Sequence, residues 1–147
     1  MKIIVVGCGK IGRKITEQLS FEGHDVVVID SNNAVVQDVS DDFDVMGVVG
    51  NGASYSVQME AGIEEANLLI AATDSDEVNL LCCMIAKKAG NCSTIARVRN
   101  PVYSSEIDFI KEELGLAMTI NPEFAAAQEI ARILRFPSAI KIDTFSK

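Results

Sequence analysis

The sequence predicts an α/β domain: a doubly wound, six-stranded parallel Rossmann sheet with helices on both faces. Three observations predict it. Short apolar runs alternate with amphipathic helical stretches along the chain. The first run leads directly into Gly7-Cys8-Gly9-Lys10-Ile11-Gly12, a G-x-G-x-x-G turn between a strand and a helix. The second run closes on an acid, Asp30, 18 residues beyond Gly12.

Lys2–Val6 (KIIVV) is apolar without alternation after its first residue, as a strand buried on both faces requires. Lys10 to Phe21 carries Ile11, Ile15 and Leu19 at helical spacing, and Gly23 stops it. Asp25–Ile29 is the second strand, and Ser31–Asn33 opens a helix that turns Val35, Val36 and Val39 inward. Val45–Val49 is the third strand, followed by a short helix from Ser54 to Ala61 closed by Gly62. Asn67–Ala72 is the fourth strand, and Ser75 to Ala89 is a periodic helix ending at Gly90. Thr94–Val98 is the fifth. Pro101 then breaks the chain, and one helix is expected from there to Leu114, with Gly115 as its cap. Ala117–Ile120 is the sixth strand. Asn121-Pro122 opens a last helix through Arg135, with Asn at the cap and Pro in the first turn. The nucleotide-binding domain is thus expected to span residues 1–136. Beyond Pro137, Ala139–Phe145 alternates with period two and has no strand left to pair with. Residues 137–147 are therefore expected to be a linker and the first strand of a second domain in a longer polypeptide.

The bulk composition narrows the function. A chain of 147 residues with 48% apolar and 23% charged side chains makes one ordinary soluble domain. Its net charge of −8 argues against nucleic acid and against docking on an anionic membrane surface, both of which call for clustered Lys and Arg. No apolar run approaches the ~20 residues of a membrane span, and Lys2–Val6 is too short for a signal peptide, so the chain reads as cytosolic. Cys8, Cys82, Cys83 and Cys92 contain no Cys-x-x-Cys pair, which points to small buried thiols rather than a disulfide framework or a zinc site.

The glycine turn carries the chemistry. Gly7 permits the tight turn, Gly9 lets the backbone approach a pyrophosphate, and Gly12 brings the helix close to the strand. Phosphates would meet unpaired N–H groups at the positive end of the helix dipole. Asp30 at the next strand tip suits a ribose diol and repels a 2′-phosphate, which favours NAD or an adenine nucleotide over NADP. Lys10 and Arg13 bring positive charge to the same helix. Thr73 suits either a ligand oxygen or a helix N-cap, and Gly50-Asn51-Gly52 suits either an adenine rim or a plain turn. Arg97 and Arg99 alternate, so opposite faces are expected for them, and periodicity leaves open which one meets the ligand. His24, the only histidine, belongs to the turn before the second strand. With no Ser/His/Asp set and no metal-ligand cluster, no catalytic residues are expected. The competing reading is the cofactor half of an NAD-dependent dehydrogenase.

Taken together, Lys2–Gly12, Val28-Ile29-Asp30, Gly50–Ala53, Ala72–Asn79 and Ala96–Pro101 resemble the N-terminal RCK or KTN (TrkA-N) domain of Trk/Ktr potassium-uptake regulatory subunits. The distinctive parts are the T-x-x-D-E-x-N run at Thr73–Asn79 and the R-x-R-x-P run at Arg97–Pro101. The resemblance implies a cytosolic regulator that binds NAD(H), ATP or ADP, gates a potassium-translocating membrane protein and assembles as a homo-oligomer. It places the pyrophosphate on Gly7, Cys8, Gly9, Lys10 and Ile11, followed by Gly12. The ribose falls to Asp30 with Ser31, Asn51 lies on the rim, Thr73 and Asp74 stand beside the phosphate loop, and Arg97 is at the far end. Asn51 stands where many relatives carry Asp, and Asp74 where some carry a neutral residue, so the preferred nucleotide stays open.

Overall fold

The computed structural model describes residues 1–135. The elements run β1 (Lys2–Val6), α1 (Lys10–Phe21), β2 (Asp25–Asp30), α2 (Asn33–Phe43), β3 (Met46–Val49), α3 (Tyr55–Glu60), β4 (Leu68–Ala71), α4 (Asp76–Gly90), β5 (Ser93–Arg97), α5 (Pro101–Ser104), α6 (Ile107–Leu114), β6 (Met118–Ile120) and α7 (Pro122–Arg135). A 3-10 turn at Ile63–Glu65 links α3 to β4. The linker and strand expected over 137–147 lie outside the described residues.

All five strand pairings are parallel, in the order β3-β2-β1-β4-β5-β6. Strand order reverses between β1 and β4, which opens a crevice at their carboxyl ends. β1 is apolar throughout its interior because alternate residues feed two cores. Ile4 and Val6 pack with Val27, Ile29, Leu69 and the α4 residues Cys82, Cys83 and Ala86. Ile3 and Val5 pack with Val26, Val28, Ile70 and Val39 of α2, flanked by Ile15 and Leu19 of α1. Helices therefore cover both faces, as the unbroken apolar strands require.

The structure departs from the sequence reading at one helix. The segment from Pro101 to Leu114 is two helices, broken at Ser105 and Glu106. The hydroxyls of Ser104 and Ser105 donate to the carbonyls of Asn100 and Val102. Such local bonds offer the backbone an alternative to continuous helix. Glu106 then starts the new helix, its carbonyl accepting the Ile110 amide. Strand ends elsewhere move by one residue.

Candidate functional site

The crevice at the carboxyl ends of β1, β2, β4 and β5 is a cavity of about 870 Å³. That falls within the roughly 300–1,000 Å³ of a small-molecule site. Of the twelve candidate residues, eleven line it: Gly7, Cys8, Gly9, Lys10, Ile11, Asp30, Ser31, Asn51, Thr73, Asp74 and Arg97. Gly12 does not. It lies buried behind the loop, where it serves packing alone.

The glycine turn is shaped as its sequence demands. Gly7 holds φ +99°, and a Cβ there would meet the Ala72 and Thr73 backbone at 2.9 Å. A Cβ on Gly9, by contrast, would meet nothing within 4 Å. That open side is where a ligand's phosphate has room. The start of α1 is also left without a side-chain cap. Asn32, Ser54, Ser75 and Asn100 each accept an amide at the starts of α2, α3, α4 and α5, whereas Gly9 offers α1 no such oxygen. No acid stands in the first turn of α1. Its first amides thus keep an anion-binding capacity that the other caps consume.

Asp30 stands opposite, fixed at both oxygens. Oδ2 accepts the Cys8 amide at 2.8 Å and Oδ1 accepts the Asn32 amide at 2.9 Å. The carboxylate is thereby locked in orientation, yet each oxygen keeps a lone pair for a hydroxyl. Cys8 spends its own amide on this bond. Its thiol faces the core, and burial, with the Asp30 charge second, pushes the thiol up to about 12. Cys8 is thus a wall residue rather than a donor or nucleophile.

The rim beyond β3 is tightly bonded. Asn51 Oδ1 accepts the Ala53 amide at 2.9 Å, and the Asn51 carbonyl accepts that of Ser54 at 2.9 Å. Gln58, fully buried, donates to the Gly52 carbonyl at 2.8 Å. This leaves the Asn51 amide NH2 as a donor at the rim.

At β4 the observed bonding narrows one expectation. The Thr73 hydroxyl lies 2.6 Å from Asn79 Oδ1, which also accepts the Thr73 amide at 2.8 Å. Thr73 therefore spends its proton internally and lines the cavity mainly as a shaped wall. Asn79 is fully buried, and its Nδ2 donates to the carbonyls of Thr73 at 3.1 Å and Arg97 at 2.9 Å. It staples the tips of β4 and β5 together with every hydrogen-bonding group satisfied. Asp76 does similar work one turn earlier, accepting the Arg99 and Asn100 amides at 2.9 and 2.7 Å.

The two arginines do not separate to opposite faces. β5 ends at Arg97, so strand alternation no longer governs Arg99. Arg97, with 6% of its side chain exposed, donates to the Thr73 carbonyl at 3.2 Å and to Glu123 Oε1 at 2.6 Å, with Asp74 at 3.4 Å. Arg99 reaches the same Glu123 at 3.9 Å but is far more open. Arg97 lines the cavity and Arg99 does not.

Sequence reasoning passed over Asn79, Asp76 and Glu123 as site residues. Two polar residues three apart on the inner face of the apolar α4 were the available signal for the first pair. An acid in the first turn of α7 reads as ordinary dipole complementation, which hid Glu123. His24 sits at the amino-terminal edge of the sheet, bonded to the chain's first amine at 3.3 Å, away from the cavity.

Comparisons with known proteins agree with this geometry. The TrkA-N domain model matches residues 3–122. The chain is 38% identical over 146 residues to a Trk system potassium uptake protein TrkA homolog of Archaeoglobus fulgidus, covering 99% of this chain and 33% of that protein. It is 34% identical over 149 residues to the Trk system potassium uptake protein TrkA of Haemophilus influenzae, covering 99% and 32%. The chain thus spans about a third of the length of these relatives. Among solved structures, the TrkA-N domain of the Escherichia coli inner membrane protein ybaL superposes with a TM-score of 0.79 at 24% identity, covering 90% of this chain and 96% of that one. The AMP-bound Kef C-terminal domain of Shewanella denitrificans gives 0.77 at 21% identity, covering 99% and 91%. The GsuK channel bound to NAD gives 0.67 at 21% identity, covering 81% and 21%. These likenesses show the fold, and the match over most of the chain shows the family: this chain belongs to the TrkA-N domain family.

Proposed function

We propose that the chain is the nucleotide-sensing domain of a regulatory subunit in a potassium uptake system. On this reading it binds NAD or NADH, or ATP or ADP, and gates a potassium-translocating membrane partner from the cytoplasmic side. The carrying observation is the pairing of an uncapped α1 start, open over Gly9, with the doubly pinned Asp30 carboxylate across the cavity. Together these match a phosphate and its adjoining ribose diol. Relatives named as Trk potassium uptake proteins, and structural neighbours solved with NAD and AMP, support the same assignment.

Regulation requires the nucleotide to favour one arrangement of the protein over another, and a coupling of about 1–3 kcal/mol gives a useful response. α7 is the element best suited to carry it. None of its residues is buried, and Phe124, Ile130 and Leu134 are 57–63% exposed. An apolar helix so placed fits a subunit contact in a homo-oligomer.

Calorimetric titration with NADH, NAD, ATP and ADP tests the reading. Binding of at least one below millimolar is expected; binding of none overturns it.

A further inference from the structure

Gln58 of α3 is fully buried, yet the two ends of its amide fare differently. Nε2 donates to the Gly52 carbonyl at 2.8 Å and to the Cys82 carbonyl of α4 at 3.0 Å. Oε1, shielded from solvent, has no hydrogen-bond partner among the described residues. Both neighbours are acceptors, so only the NH2 can face them, and the orphan oxygen follows from that choice. An unmet buried acceptor costs much of what two such bonds return, so the amide adds little net stability. Its effect is geometric: it ties the loop after β3 to α4.

Sheet order makes that loop the base end of the cavity. The glycine turn follows β1, Asp30 ends β2 and the loop follows β3, and these three strands are consecutive neighbours. With strands about 4.8 Å apart, a phosphate at the turn and a ribose at Asp30 carry the base toward Gly50, Asn51 and Gly52, which all line the cavity. The Gly50 amide donates to the Asp30 carbonyl at 2.9 Å, so the loop departs directly from the ribose acid. Neither glycine has room for a side chain. A Cβ on Gly50 would meet Val57 at 2.7 Å, and one on Gly52 would collide with Val6. Gly52 can therefore be held only through its backbone, and Gln58 is what holds it.

We propose that Gln58 is a positioning residue for the base end of the nucleotide: it suspends the Gly52 carbonyl from α4 and so sets the rim, with the Asn51 NH2 as its donor, before a ligand arrives. This rests on the nucleotide-binding reading above. A rim already held in its binding shape spares the ligand the cost of ordering it. The bonds from the Ala53 and Ser54 amides to Asn51 are local and close the turn on itself. Gln58 supplies the long-range tie, reaching a carbonyl 24 residues along the chain. Methionine in its place fills similar space and removes the orphan oxygen together with both bonds. The Cys82 carbonyl keeps its partner in the α4 ladder, and Gly52 borders the cavity, where water can serve its carbonyl. The exchange thus loosens the rim while leaving the core filled.

The test compares Gln58→Met with the wild type by thermal melts, by calorimetry with NADH, NAD, ATP and ADP, and by amide hydrogen exchange at Ala53 and Ser54. The variant is expected to melt within about 3 °C of the wild type. It is expected to bind nucleotide about three- to tenfold more weakly. In the ligand-free wild type the Ala53 and Ser54 amides exchange slowly, and nucleotide slows them by no more than about twofold. In the ligand-free variant they exchange faster, and saturating nucleotide restores the slow rate. Fast exchange in the ligand-free wild type that slows only with nucleotide overturns the proposal, whether or not the variant folds. Unchanged affinity in the variant, with wild-type binding intact, overturns it too and leaves the nucleotide site standing. Affinity lost only together with a large fall in melting temperature makes Gln58 a general brace of the fold and overturns the positioning role. Failure of all four nucleotides to bind the wild type overturns the nucleotide reading itself.

Discussion

A Cβ placed on Gly12 would lie 1.7 Å from the carbonyl oxygen of Gly7, so the third glycine of the motif is a packing residue for the first. Gly9, between them, faces open space. The two positions therefore separate stability from binding. Gly12→Ala is expected to destabilise the fold by about 1–3 kcal/mol, as overpacking does. Gly9→Ala is expected to melt close to the wild type yet bind nucleotide at least about tenfold more weakly, because its methyl enters the phosphate space. Thermal melts with calorimetry check both, and a Gly9→Ala variant of normal affinity would remove the phosphate from that side of the turn.

Asp30→Ala is expected to weaken a ribose-bearing ligand by about 1.5–3 kcal/mol, the range for a hydrogen bond to a charged group. The Cys8 and Asn32 amides lose their acceptor at the same time. Calorimetry with NADH on the variant decides it, and unchanged affinity would show that the carboxylate serves only the loop.

Asn79→Leu should be among the most damaging substitutions in the domain. It leaves the amide of Thr73 and the carbonyl of Arg97 without their Asn79 partner, and the Thr73 carbonyl with the Arg97 guanidinium alone, around a fully buried position. A loss of about 3–5 kcal/mol is expected in urea unfolding, with Asn79→Asp intermediate. A loss under about 1 kcal/mol would mean that water replaces the staple.

The thiols set an alkaline limit. Burial pushes Cys8 and Cys82 up to about 12, and raises Cys83 further. Above the ordinary thiol value the unfolded chain loses these protons while the folded chain keeps them, so stability falls as pH rises from about 9. Each such thiol costs roughly 1.4 kcal/mol per pH unit in that window. Melting temperatures from pH 8 to 11 should drop steeply, and a Cys82→Ala/Cys83→Ala variant should drop less. Parallel curves for the two proteins would refute this.

If α7 forms the proposed subunit contact, the wild type is expected to sediment as an oligomer and Ile130→Glu with Leu134→Glu as a monomer, with little change in melting of the fold, since neither residue is buried within the chain. Sedimentation velocity reads the outcome. A monomeric wild type, or a variant that keeps the oligomer's mass, would remove the subunit contact from α7.

Much of this molecule was legible in one dimension. Unbroken apolar strands, helical spacing, Asn and Ser caps and the glycine motif are rules that act within a few residues, and they specified all six strands and the residues that gather at the strand tips. The helix break at Ser105 was local too, but it turned on which carbonyl each serine hydroxyl chose, and nearby carbonyls offer similar geometry. Arg97 and Arg99 were harder, because alternation holds only while the strand lasts, and where β5 ends depends on its neighbour.

Residues such as Asn79 and Glu123 acquire meaning only across the sheet. Asn79 joins strand tips 24 residues apart in the chain, at Thr73 and Arg97, and Glu123 meets an arginine 26 residues before it. Local propensity made the strands, helices and glycine turn, because those depend on backbone geometry and nearby side chains. Which polar groups would be left buried together, and so have to satisfy one another, was settled by the strand order that brought their distant segments into contact.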